Sequence, residues 1–593
     1  MCSTGISSEG RFLLLWLCAA ALVTVLRWLS AAELNWDLAV QIQAAQNLLA
    51  GKGLSYYGSG GPDLAEPAQL FTLTHWPSGY SLCAAALITL GVSVGGVIKV
   101  LGTAGTMLGW GGWGELAFLF FREGLHGNPL WQGAGFAIAI VSPLLFTVTW
   151  PGTDIFLWAA VPWVVAWVVR AADEHVPGGR WLDGLAGAVC GLCVLLRYAS
   201  LFLVVYAAGL MLWQSRLRLL VLTRRWVFFG LGLLPALALQ VYINHFLANA
   251  SAAPGGLRVS PGLRFVVRRA WDGLPLLSTA TYPWVFWLPR VEDLFSQVAE
   301  PLPWRLGLTV GLTCAVLVVL VLVVRTYGLR LAVVVQDPRT AYVGLFIVLP
   351  LVLWGCLMFG TYDYLADPRY YWPIVPLSVF VVYSFAFRAN VTKRSGLSRL
   401  LHLFGVVYLT GYLAVSLACI GLFFVPAERS SSPRAMLMGK IDLPPYYQRV
   451  PWVPWPSMAM NYEFSPARQF VMERLKEQSN TLLLTSRDLW KWFMVDPAVD
   501  QARLYSLTCA RYRLKAQYLS GPARLVILSF DNGEPQELWN YLSHATSGRR
   551  ERADCFERLP SRHLLQRFPE EGLMVLETHV PAGMRVILGP VTR

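Results

Sequence analysis

The segment FLLLWLCAAALVTVLRWLS, Phe12–Ser30, decides the fold class, because it is long and apolar enough to cross a bilayer. Only Arg11 precedes this run closely, and Arg27 interrupts its end. No cleavage site of the kind that ends a secretory signal follows it. We therefore interpret the segment as a retained transmembrane helix, which makes the chain an integral membrane protein.

Similar apolar runs recur along the first two thirds of the chain. The 593 residues are 55% hydrophobic, and Trp and Tyr often lie near the ends of these runs, where the lipid meets water. Counting the Gly-rich stretch Tyr80–Phe121, whose number of crossings is open, we predict about 11–13 transmembrane helices. The further predicted spans are Trp131–Trp150, Ile155–Val169, Gly184–Leu196, Leu201–Trp213, Val227–Tyr242, Leu306–Val324, Val343–Phe359, Tyr371–Phe387 and Leu401–Val425.

Basic residues in the short loops predict the orientation of these spans. Three loops concentrate them and are expected to be cytoplasmic: Arg216, Arg218, Arg224 and Arg225; Arg325, Arg330 and Arg339; Arg388, Lys393, Arg394 and Arg399. Alternation then places the outer loops 31–79 and 245–305 on the other side, provided that Tyr80–Phe121 crosses an odd number of times. The same loops account for the net charge of +13, so we expect membrane lipids and no nucleic acid as partners.

The composition changes after Pro426, where charged residues become more frequent and apolar runs shorten. We predict a transmembrane domain over 1–425 and an extracytoplasmic soluble α/β domain over 426–593. SPARQFVMERLKEQS is typical of a helix, and NTLLLTS, ARLVILSF and GLMVLETHV are typical of strands. For this domain, acceptor binding or scaffolding and simple structural support are both open, as is a Cys509–Cys555 disulfide.

The stretch that follows the first span, NWDLAVQIQAAQNLLAGKGLSYY (Asn35–Tyr57), predicts an amphipathic helix. Its apolar stripe, at helical spacing, suggests a helix that lies along the membrane surface. Asp37 falls in its first turn, where the helix dipole favours an ionised carboxylate. A plain helix cap and a catalytic carboxylate both fit this position.

Other polar residues occur at the same predicted membrane face. Asp154 in TWPGTDIFLW, Arg197 in LLRYASLF and His75 in TLTHWPSGYSL lie at the ends of spans, as does Arg369 in DPRYYWPIVP. Each alone fits an interfacial anchor, but charges so near hydrocarbon are costly unless paired or functional. Together they predict one cavity with two carboxylates and several cations. Such a site suits an anionic lipid headgroup and a hydroxyl group that must lose a proton.

As an ordered set, the motifs resemble the GT-C glycosyltransferases. An outer-loop Asp followed by AAQNLLAGKGL, then HWPSGYSL, TWPGTDIFLW and DPRYYWPIVP, is similar to the protein O-mannosyltransferase and lipid A aminoarabinose transferase relatives, often grouped as family 39-like. The resemblance covers roughly residues 12–387. This chain has Asp37-Leu38 where the family often has Asp-Glu, and His75 where it often has Lys.

The resemblance implies a sugar donor carried on polyprenyl phosphate, used at the non-cytoplasmic face of what we expect to be a bacterial cytoplasmic membrane. Asp37 would deprotonate or orient the acceptor hydroxyl, with inversion at the anomeric carbon. Asp154 would hold the acceptor or, with Asp37, a divalent metal, which the resemblance permits but the sequence does not require. The donor phosphate would contact a set of cations and one tyrosine: His75, Arg197, Arg268, Arg269, Arg369 and Tyr370.

Three other functions stay open from the sequence. A polysaccharide polymerase or lipid-linked glycan ligase also uses lipid-phosphate leaving groups, and LRFVVRRAWDG in the long outer loop fits one. A transporter or flippase would place charges deep within its spans, along a path through both faces. A catalytically inactive membrane scaffold is the third.

Overall fold

The computed structural model describes most of the chain up to residue 245 and selected parts beyond it. The described residues are 7–29, 34, 36–57, 70–73, 76–126, 129–149, 153–172, 178–215, 218–243, 245, most of 376–387, 396–424, 465–477, 481–499, 504–507, 517–518, 523–530, 563–569, 573–580 and 585–586. The predicted spans Leu306–Val324 and Val343–Phe359 lie outside them.

Helices dominate the described part of the transmembrane region. They are α1 (Ser8–Leu29), α2 (Trp36–Leu49), α3 (Gly79–Thr89), α4 (Val94–Leu125), α5 (Pro129–Thr149), α6 (Asp154–Ala171), α7 (Gly179–Leu196), α8 (Leu201–Gln214), α9 (Leu219–Tyr242) and α10 (Gly396–Phe424). Within the described residues, α1, α6, α7 and α9 are each long and apolar enough to span a membrane. Helical residues within 376–387 fall in the predicted span Tyr371–Phe387.

The Gly-rich stretch Tyr80–Phe121 divides into one short and one long helix. With 11 residues, α3 is about 16 Å long, too short to cross the hydrocarbon core, whereas the 32 residues of α4 suffice. Helix α4 runs antiparallel to α1: His126 at its end lies 3.2 Å from Glu9 at the start of α1. By length alone this stretch can cross once, through α4, and the predicted orientation stays a prediction.

A cluster of four polar groups joins helices α6 to α9 at one end of the bundle. Arg225 of α9 donates two hydrogen bonds of 2.8 Å to the carboxylate of Asp183 at the start of α7. It also donates to Gln214 at the end of α8 and to the carbonyl of Val168 near the end of α6. Arg225, which the sequence analysis counted among the loop cations, is therefore a buried ion-pair partner within a helix.

Helices α7 and α9 pack with their backbones in direct contact. A Cβ atom at Gly187 of α7 would collide with the carbonyl oxygen of Phe229 in α9, and one at Gly232 of α9 would collide with that of Gly184 in α7. Small residues allow this close approach between membrane helices, where packing rather than hydrophobicity drives association. The pair forms a fixed wall of the bundle.

Helix α2 is covered by protein on both its apolar and its polar side. Its apolar residues Leu38 and Ile42 are buried, but so are the polar residues Gln41, Gln43 and Asn47. One side packs on α3, and the other contacts residues beyond position 465. The predicted helix is confirmed, and its polar side faces protein; its position along the membrane surface stays a prediction.

The last described part of the chain forms a mixed β-sheet with two helices. The elements of this region are α11 (Pro466–Glu477), β3 (Thr481–Ser486), α12 (Arg487–Met494), β4 (Leu504–Leu507), β5 (Gln517–Tyr518), β6 (Ala523–Phe530), β7 (His563–Phe568), β8 (Leu573–Val580) and β9 (Arg585–Val586). The strands β1 (Ser55–Tyr57) and β2 (Leu70–Thr72) lie earlier in the chain and form a hairpin after α2. The five-stranded order is β4-β3-β6-β8-β7, with β3 parallel to β4 and β6 and the other pairs antiparallel. The predicted helix and three strands are α11, β3, β6 and β8.

A paired arginine and glutamate join the two central strands of this sheet. Arg524 of β6 donates hydrogen bonds of 2.5 and 2.6 Å to the carboxylate of Glu577 in β8. These bonds hold the pKa of Glu577 below its usual value. The pair is a charge-assisted link across neighbouring strands.

Candidate active site

Three of the predicted site residues meet at the end of the bundle opposite to the Arg225 cluster. Arg197 forms an ion pair with Asp154, and its Nη1 atom lies 3.7 Å from Oδ2 of Asp37. The two carboxylates come from segments more than 100 residues apart in the sequence. The guanidinium group therefore lies between two acids, and we call these three residues the charged site.

Each member of the charged site occupies the end of a helix. Asp37 lies in the first turn of α2, and Asp154 is the first residue of α6, so both carboxylates lie near positive helix ends. Arg197 follows the last residue of α7 in an extended conformation (φ −158°, ψ 121°). Three helix ends thus bring three charges together without placing any of them in the middle of a span.

Hydrogen bonds hold the backbone around Arg197 in place. Its N–H donates to the carbonyl of Cys193, and its own carbonyl accepts a bond of 3.0 Å from the N–H of Ser200. The Sγ atom of Cys193 lies 3.0 Å from the Oγ atom of Ser200. Cys190 and Cys193 are both buried and free. The guanidinium group is therefore carried by a short, well-bonded turn between α7 and α8.

The two carboxylates of the charged site differ in exposure. The side chain of Asp37 is 23% exposed, whereas that of Asp154 is 6% exposed. Thr153 adds a further contact on the buried side, where its hydroxyl accepts a bond of 3.0 Å from Nη1 of Arg197. Asp37 is consequently the more accessible of the two acids, and Asp154 is the buried partner of Arg197.

A second polar group joins the entry of α3 to the charged site. Gln240, near the end of α9, accepts hydrogen bonds from the backbone N–H (3.2 Å) and the hydroxyl (3.0 Å) of Ser78. Its amide nitrogen donates to the hydroxyl of Tyr198, next to Arg197, at 3.4 Å. These residues are not among those predicted from the sequence, although a glutamine at the end of the apolar run LLPALALQVY is a polar signal within a span.

The start of α3 also touches the end of α7 directly. A Cβ atom at Gly79 would lie 2.6 Å from the carbonyl oxygen of Leu195, two residues before Arg197. Tyr80 is buried and packs edge-on against Phe156, two residues after Asp154. The start of α3 therefore lies beside the charged site.

Five predicted site residues lie outside the described residues: His75, Arg268, Arg269, Arg369 and Tyr370. Their predicted contacts with a donor phosphate stay predictions. Arg197, which was placed in the same set, contacts carboxylates in the structure.

The charged site does not fit a divalent metal held by Asp37 and Asp154. The guanidinium group of Arg197 already pairs with Asp154 and lies 3.7 Å from Asp37, so a cation stands where a metal would. No group of three His, Cys, Asp or Glu side chains suited to a metal occurs among the residues that the structure describes. We derive no step through a metal ion.

These features define a class of protein: a multi-pass helical membrane protein with a charged site at one end of its helical bundle. No protein-family model matches the chain, and no curated protein matches it. Among solved structures, it is similar to the crystal structure of ArnT from Cupriavidus metallidurans in the apo state. The identity is 13% over 96% of this chain and 98% of that one, with a TM-score of 0.35.

Proposed function

We propose that this chain is an integral-membrane glycosyltransferase that moves a sugar from a polyprenyl-phosphate donor to a hydroxyl-bearing acceptor at the non-cytoplasmic face. The observation that carries the proposal is the convergence of Asp37, Arg197 and Asp154 at one end of the bundle. Two of the motifs that resemble such enzymes contain Asp37 and Asp154, and Arg197 is one of the charges predicted at the same membrane face. A set of unrelated interfacial anchors has no reason to converge in this way.

In the proposed reaction, Asp37 takes the proton of the acceptor hydroxyl while the hydroxyl oxygen of the acceptor attacks the anomeric carbon of the sugar. The bond from that carbon to the phosphate oxygen breaks, its electron pair stays on the phosphate, and the configuration inverts. Asp37 suits this role because it is the more exposed of the two acids. Arg197 orients Asp37 and is itself held by Asp154 and Thr153.

The departing phosphate needs cations that are not already paired with acids. His75, Arg268, Arg269 and Arg369 are our candidates, with Tyr370 as a hydroxyl donor. The paired state of Arg197 removes it from this set in our proposal. The acceptor class, whether lipid, glycan or protein, and the sugar are open.

The distribution of buried charge weighs against a transporter. In the part of the chain that the structure describes, the buried ion pairs of the bundle lie at opposite ends of α7: Asp154–Arg197 at its end and Asp183–Arg225 at its start. A path for a polar solute would need polar groups between these ends. A polymerase or ligase differs in acceptor rather than in chemistry and stays a rival of the same class.

The test is a transfer assay with purified protein in defined lipid and synthetic polyprenyl-phosphate sugars. Asp37→Asn should lower turnover about 10²–10⁴-fold, the usual contribution of a general base. Glu115→Gln is the matched control, because Glu115 pairs with Arg170 and is 26% exposed, close to the exposure of Asp37, but it does not belong to the charged site. A metal chelator should leave the wild-type rate unchanged.

Near-wild-type turnover of Asp37→Asn would make this residue a helix cap and refute the mechanism. Loss of activity in Glu115→Gln to the same extent would show that any lost ion pair stops the protein, and would remove the special role of Asp37. Loss of wild-type activity on chelation, restored by one added metal, would overturn the metal-free charged site.

A further inference from the structure

Helix α2 faces two different partners. Asp37 and Gln46 are nine residues apart, so at about 100° per residue they point to opposite sides of the helix and lie about 13 Å apart along its axis. Asp37 faces Arg197 of the membrane domain. Gln46 faces the C-terminal region, where its amide nitrogen donates a bond of 2.8 Å to the carbonyl of Val495. One helix therefore spans the interval between the charged site and the C-terminal sheet.

A second glutamine makes a matching contact one turn closer to the charged site. The amide nitrogen of Gln43 donates a bond of 2.9 Å to the carbonyl of Met494, and its amide oxygen accepts a bond of 2.8 Å from the N–H of Tyr57. Gln43 is almost fully buried. Both ends of its amide are thus used, which ties together α2, the hairpin strand β1 and the end of α12.

The two carbonyls that α2 recognises lie at a helix end that needs hydrogen-bond donors. Met494 is the last residue of α12 and Val495 follows it, and the last carbonyls of a helix have no partner within the helix. Side-chain amides from α2 supply donors for two of them. This is a specific contact between defined groups, more than the burial of apolar surface that surrounds it.

The recognised segment is held firmly from its own side. Asp496 forms an ion pair with Arg468 of α11 and accepts a bond of 2.9 Å from the N–H of Ala498. Trp492 and Phe493 are fully buried in the core shared with α2 and α3. The end of α12 is therefore a fixed support on which α2 rests.

We propose that the C-terminal region, through the Met494 and Val495 carbonyls, sets the position of α2 and thereby of Asp37 relative to Arg197. Gln43 and Gln46 are positioning residues for the reaction, since neither reaches the charged site. This inference rests on the proposed glycosyl transfer for its catalytic consequence, and assigns the C-terminal region a role in turnover rather than in acceptor binding.

The test uses the full-length double variant Gln43→Glu/Gln46→Glu. Glutamate keeps the size of the side chain, but its ionised carboxylate cannot donate to a carbonyl and is repelled by the negative end of α12. Gln214→Glu is the matched control: Gln214 accepts a bond of 2.7 Å from Arg225, and a carboxylate keeps that contact. Hydrogen exchange of α2 and transfer kinetics are measured on the three proteins.

In the double variant we expect faster exchange of the α2 amides with unchanged exchange in α6, α7 and α9. Turnover should fall about 10- to 100-fold, the effect of a small misplacement of a reacting group, with the KM values of donor and acceptor within about twofold of wild type. The control should match wild type in both readouts. Normal turnover in the double variant, or a raised acceptor KM at normal turnover, would overturn the positioning role.

The two readouts separate this inference from the proposed function. If the wild type transfers no polyprenyl-phosphate sugar, the proposed function fails. Faster hydrogen exchange of the α2 amides in the double variant would still show that α12 holds α2 in place. If the wild type is active and α2 exchanges normally in the double variant, the proposed function stands and the positioning role is refuted.

Discussion

Arg197 should contribute more to stability than either of the acids that it contacts. Its side chain and that of Asp154 are 9% and 6% exposed, so Arg197→Gln leaves a buried carboxylate without its partner, at a cost of ~3–5 kcal/mol. Asp154→Asn leaves the guanidinium group with Asp37 and Thr153, and should cost less. Asp37→Asn removes a longer contact of 3.7 Å at a partly exposed acid, so its cost should be ~1 kcal/mol.

The double variant Arg197→Gln/Asp154→Asn makes this prediction sharper. It contains no unpaired buried charge at this position, so it should be more stable than the sum of the two single changes predicts, by ~0.5–3 kcal/mol. Transfer activity should not return, since Asp37 has lost the group that orients it. Stability and activity would then be separated within one pair of residues.

Equilibrium unfolding in mixed detergent micelles measures the four proteins of this cycle, and the transfer assay is run on the same preparations. Additive effects of the two substitutions would refute the pairing. So would an Arg197→Gln variant that unfolds at the wild-type midpoint, because the guanidinium group would then be a solvated anchor.

Three further predictions concern a glycine contact, an ion pair and the orientation of the bundle. Gly79→Ala should lower turnover by about tenfold or more by pushing α3 away from the end of α7, whereas Gly133→Ala, whose Cβ meets nothing within 4 Å, should not; equal rates would contradict the contact. The pKa of Glu577 is lowered from its usual 4.5, so its carboxylate stabilises the sheet above that pH, and this stability is lost as pH falls through the lower folded-state pKa. The stability of Glu577→Gln against acid unfolding should lack this pH-dependent contribution. Identical pH profiles of the two proteins would contradict the prediction. An impermeant maleimide added outside intact cells should label Lys52→Cys at the charged-site end and not Arg180→Cys at the other end; the reverse pattern would invert the predicted orientation.

Much of the helical bundle can be predicted from apolar run length alone. The span predicted as Trp131–Trp150 is α5 (Pro129–Thr149), and the one predicted as Leu201–Trp213 is α8 (Leu201–Gln214). Helix α9 begins at Leu219. The predicted span began only at Val227, because Arg225 interrupts the apolar run in the sequence. The helix continues through this charge since Asp183 neutralises it, and a partner on another helix leaves no mark in the local sequence.

The two acids and the arginine of the charged site could be predicted from the sequence, but the contacts between them could not. Asp37, Asp154 and Arg197 stand out because each interrupts or borders an apolar run. Thr153 and Gln240 are uncharged and carry no comparable signal. The residues that cover α2 could not be predicted for a related reason: its glutamines resemble a water-facing surface, whereas Gln43 and Gln46 bind carbonyls about 450 residues away along the chain.

The glycine contacts between α7 and α9 restrict how a lipid-linked molecule reaches Asp37 from the bilayer. Where two helix backbones touch, as they do at Gly187 and Gly232, no acyl or isoprenoid chain fits between them. In the proposed reaction the hydrophobic tail of the donor would remain in the lipid while its headgroup enters the protein, so it would need an opening between two other helices. The α7–α9 side is closed to such lateral entry, and the proposed donor would have to enter elsewhere around the bundle.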